Sequence, residues 1–585
     1  MKYLVSYQHP HSQFVEIDYI IEKNITPELF VQLPAWRPGR YELGNFAKNI
    51  QKWTAMDENG NILKHQKIKK DLWKIETQGT ETIHIKYNYY AAELNAGSTW
   101  LDEQQLYVNP VNCFLYVPER INEECFVELN IPGEHKVATG MKILPSGELY
   151  AKNYHELVDA PFIASSLLQN TMFVYEGKEF HIWMLGLDNP DWSKLLNDFF
   201  VFVNEQYVLF GEFPFNEYHF LFQILPFKAY HGVEHHNSTV ITLGPSYAVM
   251  NTELYNELLG VSSHELFHAW NIKQIRPLEM MPYDYTAENY SRLGYVAEGV
   301  TTYYGDLLLF RSGIFSEEEY FKIFNSQLQK HFDNFGRLNL SVAESSFDTW
   351  LDGYSAGIPN RKTSIYTEGC LVAFMTDILI RRGTNNQKSL DDVMRVLYQE
   401  FGKKQKGYSE SDYQKIIENI SGRSFEDFFR LYIYGTQNFE FMLEECLDYI
   451  GCSLKKMPSE KHNEARLGFK TSEENNKTIV KSIFPGSFSD KAGLKINDEI
   501  IAVNGVKINA DLNQWCNYFA QDKKAKIVLS LFSSGILKNI SLEPNDKETF
   551  YQCYFITKKN NSVQEKINAF NDWSKKRFIK NIGKS

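Results

Sequence analysis

The segment His264-Glu265-Leu266-Phe267-His268 has the residue types and the spacing of a metal-dependent hydrolase site. On a helix the two histidines, four positions apart, project from one face, so both imidazoles can bind the same metal ion. Glu265 would then lie beside the ion, where a carboxylate can accept a proton from an attacking water. Because the pattern is short, the alternative is an amphipathic helix whose histidines lie at its polar edge.

A catalytic zinc ion normally takes three protein ligands, so the motif requires a third ligand downstream. The candidate is Glu298, because a helical period resumes around it after the polar connector 282–291, and two antiparallel helices can bring it to the histidines. The competing carboxylates, which lie in or near this proline-containing connector and are aimed less rigidly, are Glu279, Asp284 and Glu288. Asp306 could accept a hydrogen bond from a ligand histidine, or it could be a plain acid on the helix surface.

The residues that extend the motif resemble the glycyl aminopeptidase family of gluzincin zinc metallopeptidases. The resemblance lies in the segments HELFHAWNIK from His264, IRP from Ile275 and EGVTTYY from Glu298. It implies an N-terminal β domain, a thermolysin-like catalytic domain and a C-terminal PDZ domain. It also implies an aminopeptidase that uses one Zn²⁺ ion per chain and favours Gly or Ala as the first residue.

Two further site residues are implied by the same resemblance. The segment YHGVEHHNST is similar to the family's Gly-Gly-x-Glu-His segment, and Glu234 matches the glutamate that holds the free α-amine of the substrate. The segment SIYTEG is similar to a Tyr-x-Lys-Gly stretch, and Tyr366 matches the tyrosine that donates to the oxyanion. The chain departs from the family at His231, which replaces a glycine, and at Glu368, which replaces the lysine. The alternatives are a salt-bridging acid at Glu234 and an ordinary helical tyrosine at Tyr366.

The elements that would position these residues divide the chain into regions. Residues 1–170 carry alternating or β-branched segments between Gly, Pro and Asn turns, which predicts a β-sandwich-like N-terminal domain. Within it, residues 34–41 form an aromatic-rich turn that is either structural or part of a domain interface. Strands are expected to continue to about 250 and helices from 253 to about 445, so residues 171–450 are predicted to be the catalytic domain. The predicted fold class is multidomain α+β.

Residues 455–545 resemble a PDZ domain, through the run PGSFSDKAGLKINDEIIAVNG. The resemblance implies that the loop Arg466-Leu467-Gly468-Phe469 binds a peptide C-terminus and that the peptide adds to the neighbouring strand. The alternative is a rigid appendage without a ligand. Residues 546–585 are predicted to be a C-terminal tail with a solvated amphipathic helix around Phe570 and Trp573, for which a role at a membrane surface is the weaker interpretation.

Composition argues against several classes of protein. A formal net charge of -12 and a pI near 5.8 argue against nucleic-acid binding, which needs clustered Lys and Arg. No apolar run is long enough to span a membrane, and the N-terminus turns polar at Gln8, too early for a signal peptide. The seven cysteines are scattered and include no Cys-x-x-Cys pair, which indicates reduced thiols. We therefore expect a cytoplasmic protein.

These observations predict a zinc-dependent aminopeptidase that acts on peptides with a free N-terminus. One alternative is a PDZ-bearing adaptor with a vestigial peptidase domain, against which the intact His264, Glu265, His268 and Glu298 argue. The others are a zinc endopeptidase, or hydrolysis of a different amide or an epoxide on the same scaffold. The oligomeric state leaves no trace in the sequence.

Overall fold

The computed structural model describes residues 1–354, 357–521, 526–545 and 547–576. These residues group into two compact units. The first unit comprises residues 1–320, 335–442 and 568–576, and the second comprises residues 321–334 and 443–567. The first unit contains both the predicted N-terminal domain and almost all of the predicted catalytic domain.

The N-terminal part of the first unit is built from β-sheets, as the alternating sequence predicts. In Phe14–Ile21 every second side chain is buried, because successive residues of a strand point to opposite faces of the sheet. In spatial order the largest sheet contains Lys142–Ile143, Leu149–Ala151, Cys125–Asn130, Lys2–Ser6, Phe14–Ile21, Ile83–Tyr90 and Ile50–Asp57. The two smaller sheets contain Lys136–Thr139, Phe162–Ser165, Leu106–Val108 and Trp100–Leu101, and Glu28–Gln32, Leu72–Glu76 and His65–Lys69. Short helices cover Pro110–Cys113 and Tyr154–Val158.

The catalytic part combines one mixed sheet with a layer of helices. In spatial order its strands are Gln169–Tyr175, Lys178–Leu185, Glu217–Ile224, Ser238–Gly244 and Ala229–Glu234. The last of these, which we call the edge strand, runs antiparallel to Ser238–Gly244. The helices of this part are Trp192–Phe210, Thr252–Phe267, Thr301–Ser312, Val342–Phe347, Thr349–Asp352, Ile365–Gly383, Leu390–Leu397, Glu410–Ser421 and Glu426–Phe428, with π-helical turns at Tyr295–Val300, Tyr398–Gly402 and Phe429–Ile433. The helices Glu317–Asp333 and Glu440–Tyr449 begin in the first unit, and most of their residues belong to the second.

The helix Trp192–Phe210 interrupts the strands that the sequence predicts between 171 and 250. Its start is fixed by Asp191, whose side chain accepts a hydrogen bond from the backbone N–H of Lys194. Its end is fixed by Gly211, which has the left-handed conformation that closes many helices. The arrangement of a β region followed by helices confirms the predicted α+β class.

The tail was predicted to carry a solvated helix, and this prediction is wrong in one respect. The helix Gln564–Ser574 exists, but Phe570 and Trp573 are buried, and the Trp573 ring lies against Phe310, Phe374 and Phe570. Trp573 Nε1 donates to the Tyr303 hydroxyl at 2.8 Å, and the carbonyl of Trp573 accepts from Arg311 Nε at 2.9 Å. The aromatic pair that suggested an amphipathic face is therefore part of the core.

Because Trp573 fills a closed part of this core, Trp573→Ala should lower the free energy of unfolding of the first unit by about 3–5 kcal/mol. Denaturant unfolding followed by circular dichroism measures the change. The control is Lys575→Ala, which removes only a surface ion pair with Glu205 and should change stability by less than about 1 kcal/mol. Equal stability of the two variants would contradict the packing role of Trp573.

The second unit contains the sheet of the predicted PDZ domain. In spatial order its strands are Phe469–Glu474, Lys477–Ile483, Glu499–Val503, Ile527–Ser533 and Ile536–Leu542, and Val506–Lys507 pairs with Glu499–Val503. Helices cover Phe488–Lys491 and Leu512–Phe519, with a π-helical turn at Asn463–Leu467. The strand Gln552–Lys558 pairs with Cys452–Pro458, so this part of the predicted tail belongs to the second unit.

The predicted carboxylate-binding loop of this unit contacts the chain's own segment 548–550. Arg466 Nη1 donates to the Glu548 carbonyl at 2.9 Å and to Thr549 Oγ1 at 3.0 Å, and the Phe550 ring lies against Gly468. The Gly468 N–H donates to the Asn463 carbonyl. Arg466 and the Gly468 N–H therefore have partners within the chain itself.

No helix within the described ranges is both long enough and apolar enough to cross a membrane.

Candidate metal centre and substrate site

Three side chains converge at the end of the helix Thr252–Phe267, which we call the motif helix. His264 lies in its last turn and His268 follows directly after it, so their rings stand one turn apart, as the i, i+4 spacing predicts. Their Nε2 atoms are 3.1 Å apart. Glu298 Oε2 lies 3.5 Å from His268 Nε2 and 3.9 Å from His264 Nε2.

These separations fit one tetrahedral metal ion. A metal ion that binds its ligands at about 2.1 Å with tetrahedral angles holds the ligand atoms about 3.4 Å apart. This value lies between the shortest and the longest of the three separations, 3.1 Å and 3.9 Å. Glu298 is presented by the π-helical turn Tyr295–Val300, which leads into the helix Thr301–Ser312. Such a wide turn within a helix is frequent at functional sites, since it redirects one side chain without ending the helix.

Hydrogen bonds orient His268 and the segment that follows it. His268 Nδ1 donates to the Asn271 carbonyl at 2.9 Å, which leaves the lone pair on Nε2, the atom that faces Glu298. Asn271 Nδ2 in turn donates to the Val296 carbonyl at 2.9 Å and to Thr301 Oγ1 at 3.0 Å. The segment after the motif is thereby tied to the helix that carries Glu298.

Tyr41 holds the other oxygen of Glu298, and the sequence did not identify it as a site residue. The buried Tyr41 hydroxyl donates to Glu298 Oε1 at 3.0 Å. It lies in the aromatic turn 34–41 of the N-terminal part, so a strand-rich region distant in sequence contributes to the centre. The only signal was the unusual density of aromatic and basic residues in that turn.

Tyr41→Phe should weaken zinc binding by about 10- to 100-fold, because a partner that orients a metal ligand is lost while the ring volume is kept. Competition against a chromophoric chelator measures the zinc Kd. Tyr247→Phe is the matched control, since this tyrosine is 83% exposed. An unchanged Kd for Tyr41→Phe would show that the hydrogen bond does not orient Glu298.

Glu265 points from the motif helix towards the edge strand. A Cβ built on Gly232 would come within 2.3 Å of Glu265 Oε1, so only glycine leaves room for the carboxylate there. Glu265 Oε2 is buried and has no hydrogen-bond partner among the described residues. Burial raises the pKa of Glu265 to about 8. A carboxyl group with such a pKa can accept and release a proton near neutrality.

Glu234 lies on the same face of the edge strand as Gly232, because residues two apart in a strand share a face. Glu234, Glu265 and His268 offer ligand-type atoms within 4.8 Å of one another, so the predicted amine anchor adjoins the predicted base. On its other side the carboxylate meets Gly39, where a Cβ would come within 2.4 Å of Glu234 Oε2. Gly39 has a φ of 83°, which also favours glycine.

His231, the departure from the family pattern, is compatible with a regular strand. Its neighbours in the edge strand keep their register with Ser238–Gly244. Burial, followed by the nearby Arg37 and Arg40, lowers the pKa of His231 to about 3. The side chain is therefore neutral at physiological pH.

Tyr366 lies in the first turn of the helix Ile365–Gly383, whose start is capped by Ser364. Its phenol is close to Glu298, Tyr41 and Tyr354. Burial, and then the Glu298 carboxylate, raise the pKa of Tyr366 well above its usual range. The group is thus a protonated hydrogen-bond donor beside the three converging side chains. Glu368, which replaces the family's lysine, is buried in the next part of this turn.

The competing carboxylates do not reach the histidines. In the described chain, the groups of side chains that could hold a metal near the motif contain Glu298, Glu234 and Glu265, and none of Glu279, Asp284 and Glu288. Glu279 accepts from Ser291 Oγ, and Asp284 accepts from Thr286 in the connector. Asp306 is half-buried, with Oδ1 3.7 Å from the Cβ position of Gly260, one turn before His264.

An ion pair between Lys273 and Asp159 lies on the opposite side of the site, and no pattern in the sequence indicates it. Lys273 Nζ donates to Asp159 Oδ1 at 2.8 Å, and Asp159 also accepts from the backbone N–H of His236 at 3.1 Å. His235 Nδ1 lies 3.1 Å from the same carboxylate. Burial alone would raise the pKa of Asp159, but Lys273 and His235 hold it well below its usual range. The N-terminal part thus joins the segment after the motif to the end of the edge strand.

Comparison with known families and structures covers most of the chain. Residues 2–166 match the family model of the peptidase M61 N-terminal domain, residues 257–372 match that of the M61 glycyl aminopeptidases, and residues 456–523 match that of the PDZ domain. No curated protein matches the sequence.

Among solved structures, an aminopeptidase N family protein from Idiomarina loihiensis is 26% identical with a TM-score of 0.90, over 98% of this chain and 99% of that chain. An M1 zinc metallopeptidase from Deinococcus radiodurans is 14% identical with a TM-score of 0.44, over 75% of this chain and 94% of that chain. A variant of it bound to a Tyr-Ser-Ala substrate is also 14% identical, with a TM-score of 0.45 over the same shares of the two chains.

Proposed function

We propose that this protein is a zinc-dependent aminopeptidase, because residues 2–166 match the model of the peptidase M61 N-terminal domain and residues 257–372 match that of the M61 glycyl aminopeptidases. It removes the first residue from peptides with a free N-terminus, and it favours small first residues, Gly and Ala. The family match supports peptidase activity and is the ground for the preference for Gly and Ala, and the placement of Glu234 supports cleavage at a free N-terminus.

The observation that carries the proposal is the placement of Glu234 beside the three converging side chains. His264, His268 and Glu298 offer ligand atoms to one ion, and Glu234 lies next to Glu265 on the edge strand. A carboxylate in this position closes the substrate site on the N-terminal side of the scissile peptide bond. It restricts cleavage to the first peptide bond, because the ammonium group of the substrate must reach it.

The donor set of two imidazoles and one carboxylate suits Zn²⁺, and the ligand separations given above fit it. We assign one zinc ion to this centre, with His264, His268 and Glu298 as its ligands. Zinc held there would supply a Lewis acid that polarises the scissile carbonyl and makes water a better nucleophile at neutral pH.

Three side chains of the protein carry out the other steps of the proposed reaction. Glu265 takes the proton from the attacking water and passes it to the leaving amine, because its carboxylate lies beside the metal ligand His268. Tyr366 donates a hydrogen bond to the oxygen that becomes negative in the tetrahedral intermediate. Glu234 holds the substrate ammonium group and sets the register.

Metal removal tests the proposal directly. Dialysis of the full chain against a chelator should abolish hydrolysis of glycyl and alanyl anilides, and stoichiometric Zn²⁺ should restore it. A protein that binds no zinc and hydrolyses none of these substrates would instead be the PDZ-bearing adaptor. The first-residue preference follows from kcat/KM over a panel of amino-acid anilides.

A second set of substrates, with a blocked N-terminus, distinguishes an aminopeptidase from an endopeptidase. N-acetylated versions of the same substrates should be cleaved far more slowly than the free amines. Equal cleavage of the free and the blocked substrates would overturn the assignment of Glu234 and favour the endopeptidase.

A further inference from the structure

Four ionisable side chains form a compact group on the catalytic sheet that the proposed reaction does not use. His181 and His219 are register partners on neighbouring parallel strands, and Glu179 and Glu217 are register partners two residues earlier. Residues two apart share a face, so all four side chains lie on the same side of the sheet. The two imidazole rings stack, with their centroids 4.5 Å apart and their planes at 10°.

This group faces away from the motif helix. The neighbouring residue Tyr218 points to the opposite face, where its hydroxyl donates to the Glu265 carbonyl at 3.3 Å. His219 must therefore point to the other face, because successive residues of a strand alternate. The group is separated from the centre at His264 by the thickness of the sheet.

The placement of these groups favours a positive charge between them, which a metal cation or a protonated imidazole can supply. Like charges directly opposite each other on neighbouring strands destabilise a sheet, which applies to Glu179 and Glu217. The Nε2 atoms of His181 and His219 are both buried and have no hydrogen-bond partner in the part of the chain that the structure describes. The nearest carboxylate oxygens are 3.3 Å from His181 Nε2 and 3.8 Å from His219 Nε2.

We propose that His181, Glu217 and His219 form a second metal site, which takes a divalent transition-metal ion such as Zn²⁺. Their ligand-type atoms lie within 4.8 Å of one another. To bind one tetrahedral ion, the two stacked rings must turn so that both Nε2 atoms face it, and Glu217, whose side chain is 42% exposed, must rotate towards them. Imidazole and carboxylate together select a metal of this class over Ca²⁺ or Mg²⁺, which prefer oxygen ligands alone.

Trp183 makes the binding reaction observable. Its Nε1 donates to His219 Nδ1 at 3.1 Å, which leaves the proton of the neutral ring on Nε2. For Nε2 to bind the metal, this proton must pass to Nδ1, and the hydrogen bond from Trp183 then breaks. Metal entry is therefore coupled to a change at the indole.

The test is a count of zinc ions per chain in the full-length protein. Metal-free protein is equilibrated with Zn²⁺ at a buffered micromolar free concentration, and bound zinc is measured by plasma mass spectrometry. His219→Gln should bind one ion per chain fewer than the parent, whatever the centre at His264 holds. Its aminopeptidase activity should be unchanged. Equal zinc content of the parent and His219→Gln would overturn the proposal.

A milder variant covers the case in which His219→Gln does not fold. Glu217→Gln changes a partly exposed side chain and should weaken the affinity for one of the bound ions by about tenfold or more. Glu176→Gln, an exposed acid in the turn of the same hairpin, is the matched control and should bind zinc as the parent does. The change in indole emission on zinc addition should be lost in Trp183→Phe. Unchanged affinities in Glu217→Gln would also overturn the proposal.

Discussion

Glu265→Gln should lower kcat for glycyl and alanyl anilides by about 10²–10⁴-fold while the zinc content of the protein stays the same. Glutamine keeps the volume of the side chain against Gly232, so the local packing is preserved. It cannot accept the proton of the attacking water, and general base catalysis is lost. Steady-state kinetics on protein of measured zinc content give the result.

The matched control for this variant is Glu257→Gln, an exposed glutamate on the same helix. It should retain the parent kcat, since its side chain faces solvent. If Glu265→Gln keeps its activity to within a few-fold at full zinc occupancy, Glu265 is not the base and the proposed proton transfer fails. If Glu265→Gln loses zinc as well as activity, the substitution has disturbed the metal centre. The kcat of the variant reloaded with zinc then shows whether Glu265 is the base.

Glu234→Gln should lower kcat/KM for free-amine substrates by roughly 30- to 4000-fold, which corresponds to the loss of about 2–5 kcal/mol when one member of a buried charge pair is removed. Hydrolysis of the corresponding N-acetylated substrates should change little, because they carry no ammonium group for Glu234 to bind. The measured quantity is the ratio of kcat/KM for free and blocked alanyl anilides. This ratio should fall towards one in the variant.

An equal loss on both substrates would assign Glu234 a purely structural role against Gly39. The zinc content and the thermal unfolding midpoint of the variant should match those of the parent, which separates substrate binding from damage to the site. Glu257→Gln again serves as the control for removal of a carboxylate from this part of the chain.

Local spacing explains which parts of the site were accessible from sequence. The i, i+4 histidines depend on one helical turn, so their common face follows from helix geometry alone. The alternating burial of Phe14–Ile21 likewise follows from the geometry of a strand. Glu298 was the expected partner of the histidines, and the structure brings it to 3.5 Å from His268; its role as a metal ligand stays a prediction until the metal is measured.

Contacts between distant segments were not accessible. Tyr41 reaches Glu298 across 257 positions, and Asp159 reaches Lys273 across 114. Tyrosine and aspartate at such positions carry no periodic signal, because their partners depend on how the N-terminal sheets lie against the catalytic part. The same limit explains the tail, where Phe570 and Trp573 have the pattern of an amphipathic helix and only the core around Tyr303 shows which side is covered.

Residues within a few positions of one another are enough to predict the motif helix, the strand-rich start, the PDZ-like end and the residue types that could bind zinc. The folded chain is needed to show that Glu234 shares a face with Gly232 opposite Glu265, that Tyr41 donates to Glu298, and that His181 lies beside His219. These placements depend on strand register and on the packing of separate segments. Neither can be inferred from residues that are neighbours in the sequence.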